Sequence, residues 1–452
     1  MSAARKLGPI DQDAVYRYKR IRSCDQVENP LVKYVLNQHI AIVPEFALEC
    51  GATLFNVPVA YQTYGTLAPD RNNAVLVCHA FTGSADLASW WNPLLESEGG
   101  VALDTSRFCV ICINCLGSPY GSASPVTAVD GDPKKGCYGP DFPMTTIRDD
   151  VKLFKLLLDD LGVRQIAAVV GGSMGGMHAL EFAYFGKRYV RTIVSIASCA
   201  HSSGWCLGWN EAQRQSIFSD SKYDSGYYDF DDPPVCGLGA ARMSALLTYR
   251  SWSSFEDRFG RRKNNGRHAN GNIDHKQRVQ HINHLRTLRS DQIVSRTPVH
   301  RNGNHQSREH EASESTKSDT IYAAQSYLRH QGGKFVKRFD ANCYIAITRK
   351  IDTHDVARNR TSTTKEALEM IQQPTLILGI PNDGLFTYRE QCELSAAIPK
   401  AQLKTISSNE GHDGFLLEHQ QINKFLNEFF ERELGEIASL PLREPFTLPA
   451  RT

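Results

Sequence analysis

Along the chain, short apolar runs alternate with stretches whose apolar positions recur at helical spacing. Val57 to Thr66, Ala74 to His79 and Phe108 to Asn114 read as strands. The second is apolar at nearly every position, as a strand covered on both faces must be. Thr146 to Leu161 sets Ile147, Val151, Phe154, Leu157, Leu158 and Leu161 at helical spacing and stops at Gly162. A strand at Gln165 to Val170, a helix at Met174 to Phe185 and a strand at Val190 to Ala197 continue the series. Strand and helix in turn predict a mainly parallel sheet with helices on both faces.

The rhythm changes at Ser198. From there to Ala367 the segments read as helical, and Trp205, Trp209, Tyr223, Tyr227, Tyr228 and Trp252 make the block aromatic-rich. Inside it, Arg261 to Thr320 contains no Trp, Tyr, Phe or Cys and is full of Asn, His, Arg, Ser and Gly. Such a segment cannot bury enough apolar surface to offset its ordering entropy, so it reads as a disordered insertion. Its histidines, from His268 to His310, are scattered without ligand spacing and read as solvated. Order resumes at Tyr322 to Thr353. Strands return at Pro374 to Ile380 and Leu403 to Ile406, and an amphipathic helix fits Gln420 to Glu431. Residues 1–197 and 368–452 are thus expected to form an α/β core. Residues 198–367 are expected to be an inserted helical lid that itself carries the polar segment 261–320.

Composition changes this picture little. A hydrophobic fraction of 41% in 452 residues supports a large core, and a net charge of +2 gives no bias toward nucleic acid or acidic membranes. No apolar run is long enough to span a bilayer. Met1 to Arg22 is basic but holds Asp11 and Asp13 and lacks an apolar h-region, so a secretory leader is not expected and the cytoplasm is. Of the cysteines, Cys109, Cys112 and Cys115 look at first like metal ligands. On an extended strand, however, side chains three apart face opposite ways, and Cys109 and Cys115 would lie roughly 20 Å apart. They read as core residues, and neither a metal nor a disulfide framework is expected.

The chemistry concentrates at Gly171-Gly172-Ser173-Met174-Gly175-Gly176, between an apolar strand and a helix. A Gly-x-Ser-x-Gly turn in that context is the nucleophile elbow of the α/β-hydrolase fold, which exposes Oγ at a helix N-terminus. That fold orders its triad as nucleophile, acid, histidine. Asp383 follows the strand Pro374 to Ile380, and His412 follows Leu403 to Ile406, each in the loop where its role requires it. The oxyanion hole is expected from the backbone N–H groups of Met174 and of Phe81, in the loop His79 to Gly83. His79 itself reads as a structural loop residue.

Several stretches carry a more specific resemblance. They are His79 to Gly83, Asn114 to Ser118, Thr146 to Asp150, Gly171 to Met177, Glu211 to Gln215, Asp352 to Asp355, Asp383 to Phe386 and Gly411 to Asp413. Together they resemble the homoserine O-acetyltransferase family, its fungal members in particular, over roughly Val43 to Phe429 without the polar insertion. The resemblance implies acetyl transfer from acetyl-CoA, as co-substrate, to the side-chain hydroxyl of L-homoserine in methionine biosynthesis, by a ping-pong route through acetyl-serine. It implies no bound cofactor, small-molecule partners rather than nucleic acid or membrane, and a homodimer as the candidate assembly. By position Arg214 resembles the arginine that takes the amino-acid carboxylate, and Asp413 the acid that takes its ammonium. Two positions depart from the family pattern: His178 stands where Gln is usual, and Phe81 where Leu is frequent. Acetylation of another alcohol, of the deacetylcephalosporin C type or L-serine, and a serine esterase are the alternatives.

Overall fold

The structure, a computed structural model, describes residues 17–35, 37–95, 100–264 and 321–438. The reading of 261–320 as disordered therefore lies, from 265 onward, outside the described residues. Strands run in chain order as β1 (Lys19–Arg22), β2 (His39–Ala47), β3 (Thr53–Tyr64), β4 (Ala74–Cys78), β5 (Cys109–Ile113), β6 (Ile166–Gly172), β7 (Val190–Ile196), β8 (Lys263–Asn264), β9 (Ile321–Tyr322), β10 (Thr375–Gly379) and β11 (Ala401–Thr405). Nine of them form one sheet in the order β1-β2-β3-β5-β4-β6-β7-β10-β11, while β8 and β9 pair as a separate antiparallel ribbon. From β5 to β11 all pairings in the sheet are parallel; β1, β2 and β3 form an antiparallel extension.

The apolar strands are apolar because both faces are covered. In β4, Ala74, Leu76 and Cys78 enter one core cluster and Val75 and Val77 the other. The first face packs against the helices Ile147–Asp160 and Met174–Ala183, the second against Leu87–Trp91 and His419–Glu433. Cys109 and Cys115 fall in the first cluster and Cys112 in the second, so the three thiols do not converge. Burial pushes Cys109 and Cys115 up to about 12, leaving them protonated core groups.

Thr146 caps its helix with a capping box closed by Asp149, where Glu or Gln is the common partner. Among the described residues between β7 and β10, the α-helices are Gly204–Phe218, Val235–Tyr249, Trp252–Arg258, Ala323–Phe335, Ala341–Asp352 and Thr364–Glu369, and the strands are those of the short ribbon. The helices' side chains Phe335, Tyr344 and Ile347 join the same cluster as the sheet's first face.

Candidate active site

Parallel strands bring their C-terminal ends to one edge, and the loops leaving β4, β6, β10 and β11 meet there. Ser173 leaves β6 with φ 60° and ψ −125°, a strained backbone for a residue with a Cβ. The strain is held from several sides. Its N–H donates to the Ile196 carbonyl at 2.9 Å, and Ser198 Oγ donates to its carbonyl at 2.8 Å. A Cβ on Gly171 would lie 2.0 Å from the Gly175 carbonyl oxygen, and one on Gly175 would lie 2.1 Å from that of Cys78. Only residues without a side chain let strand, turn and helix approach this closely.

Ser173 Oγ lies 2.8 Å from His412 Nε2, and His412 Nδ1 lies 2.7 Å from Asp383 Oδ2. All three residues are buried. The rings of Phe386 and Phe415 meet the imidazole edge-on at 5.5 and 5.3 Å, and Tyr249 lies 6.0 Å away at a tilt. Asp383 is held in turn: Oδ1 accepts the N–H groups of Leu385 (2.8 Å) and Phe386 (3.0 Å), and Oδ2 accepts Gln391 Nε2 at 3.1 Å. These donors hold the carboxylate in place, and the carboxylate in turn orients the ring.

Met174 opens the helix behind Ser173, and Phe81 sits in the loop leaving β4. The Phe81 ring packs edge-on against Tyr344 at 4.7 Å. His79 pins this loop: Nδ1 donates to the Ala80 carbonyl at 2.8 Å and Nε2 accepts the Cys115 N–H at 3.0 Å. Burial lowers its pKa to about 4, so it remains neutral, in one tautomer, as a structural residue.

His178 lies on the nucleophile helix, facing away from the triad into a second cluster. Its Nε2 is 2.9 Å from Asp150 Oδ2, while Asp150 also takes Lys350 Nζ at 2.6 Å and the Leu116 N–H at 2.9 Å. Lys350 is fully buried, and its Nζ also donates to the Leu116 carbonyl at 2.6 Å.

The two residues expected to hold the acceptor are placed differently. Asp413 adjoins His412, with Oδ2 3.0 Å from Arg250 Nε; burial raises its carboxyl above the ordinary range although Arg250, His412 and Arg242 act against it. Arg214 has Nε and Nη2 on Glu211 Oε2, at 3.0 and 2.8 Å, and Nη1 2.7 Å from Asp352 Oδ2. Its guanidinium is thus engaged by two carboxylates. Sequence reasoning did not single out Arg242. Its guanidinium lies over the rings of Phe335 (4.8 Å) and Tyr249 (5.5 Å), and its Nη1 is buried with no hydrogen-bond partner. The signal was a charged residue in the apolar stretch Val235 to Leu247. Sequence reasoning did not single out Gln391 or Lys350 either. Among the described residues, no His, Cys, Asp and Glu group is arranged to hold a metal ion, and no helix is long and apolar enough to cross a membrane.

A family model described as the alpha/beta hydrolase fold matches residues 73–419. A homoserine O-acetyltransferase of Emericella nidulans is 53% identical, over 94% of this chain and 92% of its own length. One of Saccharomyces cerevisiae is 47% identical, over 89% and 88%. The solved structure of a homoserine O-acetyltransferase from Bacillus anthracis, 21% identical, matches with a TM-score of 0.70 over 88% of this chain and 98% of that one, a likeness of fold.

Proposed function

Because the chain belongs to the homoserine O-acetyltransferase family, within the α/β-hydrolase fold, we propose that it moves an acetyl group from acetyl-CoA to the side-chain hydroxyl of L-homoserine through acetyl-Ser173. The observation that carries the mechanism is the unbroken chain from Ser173 Oγ through His412 to Asp383. Ser173 Oγ attacks the thioester carbonyl as its proton passes to His412 Nε2. The tetrahedral oxyanion is received by the N–H groups of Phe81 and Met174. Collapse expels the thiolate of CoA, which leaves with the proton from His412. The acceptor hydroxyl then gives its proton to His412 and attacks acetyl-Ser173; the proton returns to Ser173 Oγ, and the O-acetyl ester departs. The helices between β7 and β10 act in this reading as the lid that keeps water from the acyl-enzyme.

An amino-acid acceptor needs a partner for its carboxylate. Arg242 offers one, with a buried donor edge beside the Tyr249 ring that flanks His412. Arg214 is the rival, and a substrate there has to displace Asp352 or Glu211. Asp413 is assigned the ammonium. The reading carries with it a place in methionine biosynthesis and a cytoplasmic homodimer, which light scattering and fractionation address. The deciding experiment mixes the protein with acetyl-CoA and offers homoserine, serine or water, following free thiol and the acetyl adduct by mass spectrometry. Thiol release driven by homoserine above the other two is the expected result; release equally fast with water alone makes the protein an esterase.

A further inference from the structure

Behind the triad acid stands a side chain that the reaction as written does not use. Gln391 is fully buried on the helix Tyr388–Ala397. Its Nε2 donates both to Asp383 Oδ2 at 3.1 Å and to the Phe386 carbonyl at 2.7 Å, while its Oε1 accepts the Ile380 N–H at 2.7 Å. The orientation of the amide follows from its backbone partners, because a peptide N–H only donates and a peptide carbonyl only accepts. Gly379 ends β10 without a side chain, and a Cβ there would lie 3.0 Å from Gln391 Oε1. The amide therefore bridges both sides of the Asp383 loop, its root at Ile380 and its return at Phe386, and also touches the carboxylate oxygen that faces His412.

We propose that Gln391 is a positioning residue for the reaction, fixing Asp383 in place and drawing charge from the oxygen that orients His412. This rests on the reading of Ser173, His412 and Asp383 as the triad. Removing the donor leaves more charge on Oδ2, which stabilises the imidazolium, so His412 gives up its proton at a higher pH. The titratable and charged groups around the couple include Tyr249, Asp413 with Arg250, Arg242 and Glu410, and Cys199 with Glu390. None of them is altered by the substitutions below.

The test uses the full chain and p-nitrophenyl acetate, which acylates a triad serine whatever the natural donor or acceptor. Gln391→Met keeps the volume and loses the amide. It should slow the acylation burst about 10- to 100-fold, the range for loss of a hydrogen bond to a charged group, and move the acidic limb of the pH–rate profile upward. Gln391→Glu is nearly isosteric. While protonated it still donates to Asp383; once ionised it sets a second negative charge beside it. Its profile should therefore gain a limb along which the rate falls as the pH rises. A role in folding alone lowers the denaturation midpoint but leaves both profiles where they were, and that result overturns the proposal. If wild type itself gives no burst, it is the triad reading that fails.

Discussion

The described residues include two buried aspartate–histidine pairs of nearly equal length, 2.7 Å for Asp383–His412 and 2.9 Å for Asp150–His178. What differs is the company each keeps. Asp383 is met by neutral donors only, two backbone N–H groups and an amide, so its charge is left for His412 to feel. Asp150 is met by the ammonium of Lys350, which neutralises it directly. The free nitrogen of His412 points at a hydroxyl, whereas Nδ1 of His178 is buried without a partner. A carboxylate–imidazole contact is therefore no mark of catalysis by itself. The acid must remain uncompensated, and the far nitrogen must have a proton to take.

The contrast can be broken most severely at its catalytic end. Ser173→Ala should abolish the acetyl adduct seen by mass spectrometry and lower turnover about a thousandfold or more; an adduct persisting on another residue would end the assignment. At the structural end, Lys350→Met strips Asp150 of its counter-charge and should cost about 3–5 kcal/mol in urea denaturation. Burial acts to raise the Asp150 carboxyl, yet Lys350 and His178 together hold it below its ordinary range. Its stabilising contribution is thus present above the unfolded carboxylate value and lost as the pH falls through the lower folded one. In the variant the His178 and Leu116 contacts remain but the ammonium is gone, so burial weighs more heavily on Asp150 and this loss of stability toward acid should shrink. Equal stability of the two proteins at neutral pH would remove the distinction drawn here.

Smaller effects sharpen the comparison. Arg242→Lys should weaken apparent homoserine binding by about 1.5–3 kcal/mol while Ser173 still acylates. Arg214→Lys should leave the homoserine Michaelis constant nearly unchanged; the opposite pattern hands the carboxylate to Arg214. The mildest change is His178→Gln, whose amide can still donate to Asp150. A shift within about 1 kcal/mol in stability and an unmoved pH–rate profile are expected. A displaced profile would tie the two pairs together.

The residues of the proposed triad could be picked out before the fold was seen because each sits in a loop after a strand, in fixed order, and the elbow needs glycines that announce themselves. Gln391, Lys350 and Arg242 could not. They lie within helices, and their roles are set by partners 8, 200 or more residues away, or by a donor edge that only packing reveals. Of the antiparallel extension only β3 was read, as Val57 to Thr66; β1 and β2 were missed for local reasons. The run Lys19 to Arg22 has one apolar residue among four and shows no strand pattern, although Arg20 is held by Asp160. Pro44 interrupts the pattern of β2, and the pairing with β3 indeed skips it, opposite Asn56 at φ 48°.

The Lys350–Asp150 contact also bears on how the chain can be made. The carboxylate belongs to the first α-helix after β5, and its neutralising ammonium arrives 200 residues later, on the helix Ala341–Asp352. A nascent chain that has emerged only as far as β7 would have to seal an unmatched charge beneath its nucleophile helix. Closure of the sheet's first half should then wait for the helix Ala341–Asp352 to be made. Ribosome-stalled chains ending before residue 341 should be cut by protease throughout the first half, and those carrying the helix and the strands after it should resist.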